Sequence, residues 1–235
     1  MSETIPAAFA DAVRRDPTAP LLTFYDDATG DRTELSGATL DNWVSKTANM
    51  LADGSGLGAG DRVAVLLPPH WQTAAILLGA WSAGLAVDLG NDADVVFATP
   101  ELASAGAGER YATGLLPLAM PLRQVPPGYA DYVVEVRAFG DRFTPIHPVN
   151  GDDPAYTGRD DRSHRETVDD AVQRAAAMGI AKGDRVLIDA RTHREPMDWL
   201  LAPLVADASV VLCANLDPGT VAKRTVAERV TVTMA

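Results

Sequence analysis

The chain has 235 residues, long enough to bury one large α/β core or two small ones. Its 32 acidic side chains against 20 basic ones give a formal net charge of −12, which argues against nucleic acid and anionic membrane as partners. Cys213 is the single cysteine, so no internal disulfide can form, and a reducing cytoplasm is the expected setting.

From Met1 to Pro20, acids and arginines are scattered through a short apolar set, without the basic-then-apolar layout of a signal peptide. Leu21–Tyr25 and Arg32–Leu35 flank an Asp- and Gly-rich loop and predict a β-hairpin. Leu40, Trp43, Val44, Thr47, Ala48 and Leu51 then draw one apolar helical stripe, stopped by Gly54 and Gly56. Arg62–Leu67 reads as a buried strand ended by Pro68-Pro69, and His70–Ala83 as a buried helix. Leu85–Leu89 and Val95–Thr99 read as further strands, the second stopped by Pro100. The apolar run Ala74–Val87 is too short to span a bilayer and carries Gly79 and Gly84. Glu101–Phe143 is rich in Gly and Pro, with one helix expected around Tyr129–Phe139. The Pro-, Gly- and Asp-rich loop Thr144–Gly158 is the candidate domain boundary.

The pattern then restarts. Ser163 with Glu166 three residues on forms a capping box ahead of the stripe Val168, Ala171, Val172, Ala175, Ala176, which Gly179 ends. Strand Arg185–Ile188, helix Glu195–Val205, strand Ser209–Cys213, a short helix from Asp217-Pro218 and a last strand, Val230–Thr233, follow. Strands alternating with helices through short loops predict a parallel α/β sheet built from βαβ units. A first lobe over 1–150 and a second over 151–235 are expected. An unpaired final strand would invite self-association, so a homo-oligomer through that edge, or a protein partner, is expected.

The halves also resemble each other. Gly56-Leu57-Gly58-Ala59-Gly60-Asp61-Arg62-Val63 aligns with Gly179-Ile180-Ala181-Lys182-Gly183-Asp184-Arg185-Val186. Without a gap, His70 then aligns with His193, Leu77-Leu78 with Leu200-Leu201, Ala83 with Ala206 and Leu89 with Leu212. This predicts two pseudo-symmetric βα lobes packed together, with a crevice between them.

Gly60-Asp61-Arg62-Val63-Ala64-Val65-Leu66-Leu67-Pro68, Ala80-Trp81-Ser82-Ala83-Gly84 and Ala93–Thr99 resemble the N-terminal lobe of adenylate-forming enzymes. These are the acyl-CoA synthetases, luciferases and peptide-synthetase adenylation domains. Gly183–Val186, Leu201–Leu204, Ser209–Leu212 and Glu228–Val232 are similar to the family's second lobe. The resemblance covers nearly the whole chain but only about the first half of the family's large domain. It is strongest to a group of short actinobacterial proteins related to those synthetases.

The resemblance implies a nucleotide loop in the stretch GDDPAYTGRDDRSHRE, Gly151–Glu166. In full-length members the Tyr-Thr continues as Ser-Gly-Thr-Thr-Gly-x-Pro-Lys-Gly, whose glycine amides and lysine hold the phosphates of ATP. Here Gly158 runs through Arg159-Asp160-Asp161-Arg162 into Ser163-His164, so the glycine series and the lysine are missing. Tyr156, Thr157, Gly158, Ser163 and His164 are the remnant ligand-binding candidates. None of the five tyrosines begins the family's aromatic-Gly-x-Thr-Glu stretch, and Lys46, Lys182 and Lys223 do not match its catalytic lysine. Thr29-Gly30-Asp31 mimics the family's ribose-binding triplet but sits in the hairpin, where turn chemistry explains it.

Other chemistries fit less well. His70 and His193 want further ligands to make a metal site, and Glu195 is the one near candidate. Each histidine is expected exposed at a helix start. Ser163-His164 lacks a nucleophile elbow and reads as a cap. Cys213 ends an apolar strand, as a buried inert thiol would, and the four tryptophans fall on apolar helix faces. No cofactor motif is intact, although ATP, AMP or CoA remain conceivable ligands. Two function classes follow: a degenerate, non-catalytic binding or regulatory module, or an altered acyl- or nucleotide-binding ligase-type enzyme using the crevice between the lobes.

Overall fold

A computed structural model describes residues 2–88, 93–104 and 108–235. The first half runs α1 (Ile5–Arg15), β1 (Pro20–Asp26), β2 (Asp31–Ser36), α2 (Gly37–Asn49), β3 (Arg62–Leu66) and α3 (Trp71–Ser82). Next come β4 (Ala86–Asp88), β5 (Val95–Ala98), β6 (Glu109–Ala112), β7 (Ala130–Asp131) and α4 (Tyr132–Val136). The remainder is β8 (Pro154–Thr157), β9 (Arg162–Ser163), α5 (His164–Ala177), β10 (Arg185–Asp189), α6 (Ala202–Val205), β11 (Ser209–Ala214), α7 (Val221–Ala227) and β12 (Val232–Met234).

These strands form two sheets, one of seven strands in the order β7-β6-β5-β3-β4-β8-β9 and one of five in the order β12-β10-β11-β1-β2. All pairs are parallel except the hairpins β1/β2 and β8/β9. The α/β class therefore holds, but the sheets do not divide at residue 150. β1 pairs with β11, Leu22 opposite Val210 and Phe24 opposite Leu212, while β8 extends the other sheet against β4. A linear reading follows the composition shift. Instead, the hairpin near the start of each half, β1/β2 and β8/β9, extends the sheet of the other half. For the same reason Thr144–Gly158 is not wholly loop: it contains β8.

Helix α3 lies at the centre, every residue from Trp71 to Trp81 buried, packed on β3 and β4 of one sheet and β1 of the other. A helix with no polar stripe belongs inside. Gly79 lets it approach α2: an added Cβ there would stand 2.6 Å from the Thr47 Cβ. Helix α1 was not assigned from the sequence. Thr4 caps it by accepting the Ala7 N–H, Pro6 occupies the first turn, and Ile5, Ala8 and Phe9 are buried. The helix expected over Glu195–Val205 opens as a π turn, Met197–Leu201, before α6. Pro203 lacks the N–H that an α-ladder would direct to Trp199, and the helix widens there. The middle helix is confined to α4. Leu89, aligned with Leu212 and placed in a strand, lies outside the described residues.

The repeated turns have the same geometry. Asp61 accepts the Gly58 N–H at 2.8 Å and Asp184 the Ala181 N–H at 2.7 Å, while Gly56, Gly60, Gly179 and Gly183 all take positive φ. Gly84 and Asp207, which follow α3 and α6, do so too. The histidines diverge. His193 is half-buried beside Thr192, whereas His70 is 4% exposed, a correction to the expected exposed position. Its Nδ1 accepts the Gln72 N–H to cap α3, and burial pulls its imidazole down to about 3. Cys213 is buried as expected, its thiol pushed up to about 11 by burial.

On β1, Leu22 and Phe24 enter the main core, and Thr23 and Tyr25 face the other side of the sheet. There the Tyr25 hydroxyl donates to Glu228 at 2.6 Å, Arg185 donates to Glu228 at 2.6 Å and to Thr23 at 2.9 Å, and Arg32 joins Glu228 from β2. Burial opposes ionisation of Glu228, but these donors outweigh it and hold the carboxyl at about 2, below its ordinary 4.5. A depressed carboxylate stabilises the fold above pH 4.5, and that contribution, on the order of 2 kcal/mol, is lost as pH falls from 4.5 towards 2. Urea midpoints across this window are expected to fall in the wild type and to fall less in Glu228→Gln. Gly79→Ala drives a methyl into Thr47 and is expected to cost about 2 kcal/mol, read as a lowered urea midpoint with unchanged m-value.

Candidate functional site

Tyr156 ends up buried because β8 lies beside β4, Tyr156 opposite Val87 and Thr157 opposite Asp88. Trp81 meets the Tyr156 ring edge-on and donates its indole N–H to the Ala155 carbonyl at 2.9 Å. Burial pushes the Tyr156 phenol well above its ordinary value, so it is a neutral wall. Gly158 then turns the chain at φ +101°, a conformation that favours glycine, and Arg159–Asp161 complete the turn into β9.

The turn satisfies itself. The Gly158 N–H donates to the Asp161 carboxylate at 2.8 Å, so a side chain of the same loop takes the amide that an incoming anion would need. Arg162 lies 5.0 Å over the Tyr156 ring and pairs with Asp160 at 3.0 Å and Asp170 at 3.4 Å. Its charge is balanced twice. Ser163 is the expected cap: its Oγ accepts the Glu166 N–H, and Glu166 accepts the Ser163 N–H at 2.9 Å. His164 points elsewhere. It is fully buried, its Nδ1 accepts the Ile5 N–H of α1 at 3.4 Å, and its Nε2 is buried without a partner among the described residues. Burial pulls its imidazole down to about 4, so it is neutral at physiological pH. The Thr157 hydroxyl is also buried without a partner among the described residues.

A cavity of about 480 Å3 lies above this hairpin. Tyr156, Arg159 and Arg162 form one side, and Arg194, Glu195 and Trp199, from the segment after β10, form the other. Of the five residues nominated from sequence, Tyr156 lines this space. Gly158 spends its amide within the turn, and Ser163 and His164 hold α5 and α1. Glu195 was weighed only as a metal ligand beside the histidines, and its meeting with the arginines was not foreseen, because no spacing rule connects a β-hairpin to a segment three dozen residues later. Their meeting is a property of the two-sheet packing.

The family model described as AMP-binding enzyme matches residues 9–92. A Mycobacterium tuberculosis protein named as a TIGR03089 family protein is 41% identical over 241 residues, spanning 97% of each chain. An acyl-CoA synthetase of Brucella canis superposes with a TM-score of 0.73 at 20% identity, covering 96% of this chain and 46% of that one. The N-terminal domain of FACL13 from Mycobacterium tuberculosis does so with a TM-score of 0.68 at 16% identity, covering 100% and 63%. These two likenesses show the fold, and the chain spans less than two thirds of either structure's length. No helix among the described residues is long and apolar enough to cross a membrane.

His164 joins the hairpin end to α1, and its lowered imidazole has a measurable consequence. Neutral His164 stabilises the fold above its ordinary 6.5, and that contribution is lost as pH falls from 6.5 towards 4. Urea midpoints are expected to decline across this window. His164→Gln should flatten the decline in part, with the similarly buried His70 accounting for a remainder.

Proposed function

Because the chain belongs to the TIGR03089 family and has the fold of an adenylate-forming N-terminal domain, we propose that it is a binding or regulatory module that does not form adenylates. The observation that carries this reading is the closed turn at Gly158, whose amide is bonded to Asp161. An anion cradle on a loop works by converging several free N–H groups and a cation on the phosphate oxygens. This turn spends its first amide on a carboxylate, presents Asp160 and Asp161 to the approaching charge, and neutralises Arg162 internally. Within the turn, Arg159 alone is left to attract a polyphosphate. Arg159, Asp160, Asp161 and Arg162 together carry two positive and two negative charges, so the turn offers no net positive charge to a polyphosphate.

A second reading, an altered ligase-type enzyme, is favoured by one observation: the cavity over the hairpin persists, with Arg159 and Arg194 on its two sides. It supports a site for an acyl or nucleotide group held without a phosphate loop. The two readings part on the same bench. On the first, Mg-ATP and AMP leave the melting temperature unchanged, and no carboxylate in a broad panel elicits pyrophosphate release. Binding to the native state must raise the melting temperature, so an ATP-dependent rise, or turnover with any acid, overturns it. If internal occupation of the Gly158 amide is the cause, Asp160→Asn with Asp161→Asn should bind inorganic pyrophosphate where the wild type does not, read by calorimetry.

A further inference from the structure

Among the described residues the two sheets have four end strands, and an end strand offers unpaired N–H and C=O groups to whatever approaches. Three of these ends are guarded. β7 is two residues long, and Asp131 turns it into α4 by taking the Leu122 N–H at 2.6 Å and the Val133 N–H at 2.8 Å. β9 is also two residues long and carries Arg162, paired with Asp160 and Asp170. β2 carries Asp31, Arg32 and Glu34 along its length. The fourth end is β12, Val232-Thr233-Met234, which has neither a charge nor a proline, and no strand lies beyond it among the described residues. Charges and prolines are what keep sheet edges from pairing, and this edge has none.

The register of β12 fixes what the edge presents. Asp184 accepts the Ser209 N–H and Ala190 donates to the Cys213 carbonyl, so the even-numbered residues of β10 face β11. The alternate residues Arg185 and Leu187 face β12, and the Arg185 carbonyl accepts the Thr231 N–H at 2.9 Å. In a parallel pair, one residue of each register couple turns its backbone groups to the other strand and its mate turns them away. Leu187 is opposite Thr233, so the Thr233 N–H and C=O point out of the sheet edge. The Thr233 side chain is exposed, whereas Val232 and Met234 pack on the main core and stay half-buried. Electrostatics single out the same edge. Residues 201–235 hold Asp207, Asp217 and Glu228 against Lys223, Arg224 and Arg229, three acids to three bases, in a chain of net charge −12. Two copies of the chain therefore repel least when they approach here.

We propose that β12 is a dimerisation edge whose partner is a second copy of this chain, running antiparallel about a twofold axis at Thr233. The interface is independent of the hairpin site and of either reading of it. The two Thr233 residues exchange a pair of N–H···O bonds, and Val232 of each copy lies opposite Met234 of the other, which adds apolar cover to both. The two five-stranded sheets become one of ten strands. The join is short, so the dimer is weak, with a Kd on the order of 10 to 100 μM.

Sedimentation equilibrium between about 2 and 500 μM is expected to show the mass rise from 24.8 kDa towards twice that value. The dimer should tighten as salt rises from about 20 to 300 mM, because the remaining charges of the two copies repel and salt screens them. Thr233→Pro deletes the outward N–H, leaves the bonds to β10 in place and should weaken association at least tenfold. Thr233→Lys sets two like charges across the axis and should do the same; it decides the matter if circular dichroism shows the proline variant unfolded. Leu118→Lys alters a leucine that is 81% exposed on a different surface and should leave the dimer intact. A mass that stays at 24.8 kDa throughout, a dimer that survives Thr233→Lys, or one that salt dissolves overturns the proposal. So does association lost in Leu118→Lys, or a mass that climbs past the dimer.

Discussion

Helix α3 has no face that water can touch. From Trp71 to Trp81 its side chains are apolar, or polar with partners such as the Thr73 hydroxyl bonded to the Pro68 carbonyl, and each is buried. A helix of that kind needs cover on every side, and one sheet with one neighbouring helix supplies only part of it. β3 and β4 cover one side, α2 presses close at Gly79, α1 lies across it, and β1 brings the second sheet. The two-sheet arrangement follows from enclosing this one helix. So do the crevices at the strand ends, because two sheets that share a central helix meet above it without closing.

That dependence explains what sequence could and could not reveal. The apolar stripe of α2, the continuous apolar run of α3, the capping box at Ser163 and the repeated Gly-Asp-Arg-Val turns are local, and each was legible. Asp61 and Asp184 each accept the amide three residues before them in their turns. Which strand neighbours which is not local. Nothing within Leu21–Tyr25 announces that its partner is Ser209–Cys213, because any strand of alternating apolar residues would fit. Helix α1 escapes a reading of the sequence because only Ile5, Ala8 and Phe9 of it are buried and two arginines, Arg14 and Arg15, close it. His70 was misplaced because a histidine before a helix is normally a wet cap. Here the ring packs against Phe24, 4.2 Å between centroids, and the helix it caps is interior.

The candidate site divides in the same way. The loss of the glycine series between Gly158 and Ser163 is visible in the letters alone. That Asp161 turns inward to take the Gly158 amide depends on the tight β8/β9 register. Arg194 stands across the cavity from Arg159, a placement that arises only when the segment after β10 is laid over β3.

The position of β1 has a consequence for the order in which the molecule can assemble. β1 is an interior strand flanked by β2 and β11, so it cannot be finished until a segment almost the whole length of the chain away has emerged. During synthesis, Leu22 and Phe24 therefore stay exposed, or are covered by other contacts, until β11 leaves the ribosome. Topologies dominated by such distant pairings fold slowly and pass through states with open strand edges. The N-terminal hairpin takes its parallel partner, β11, from the far end of the chain, so the first sixty residues by themselves lack that pairing.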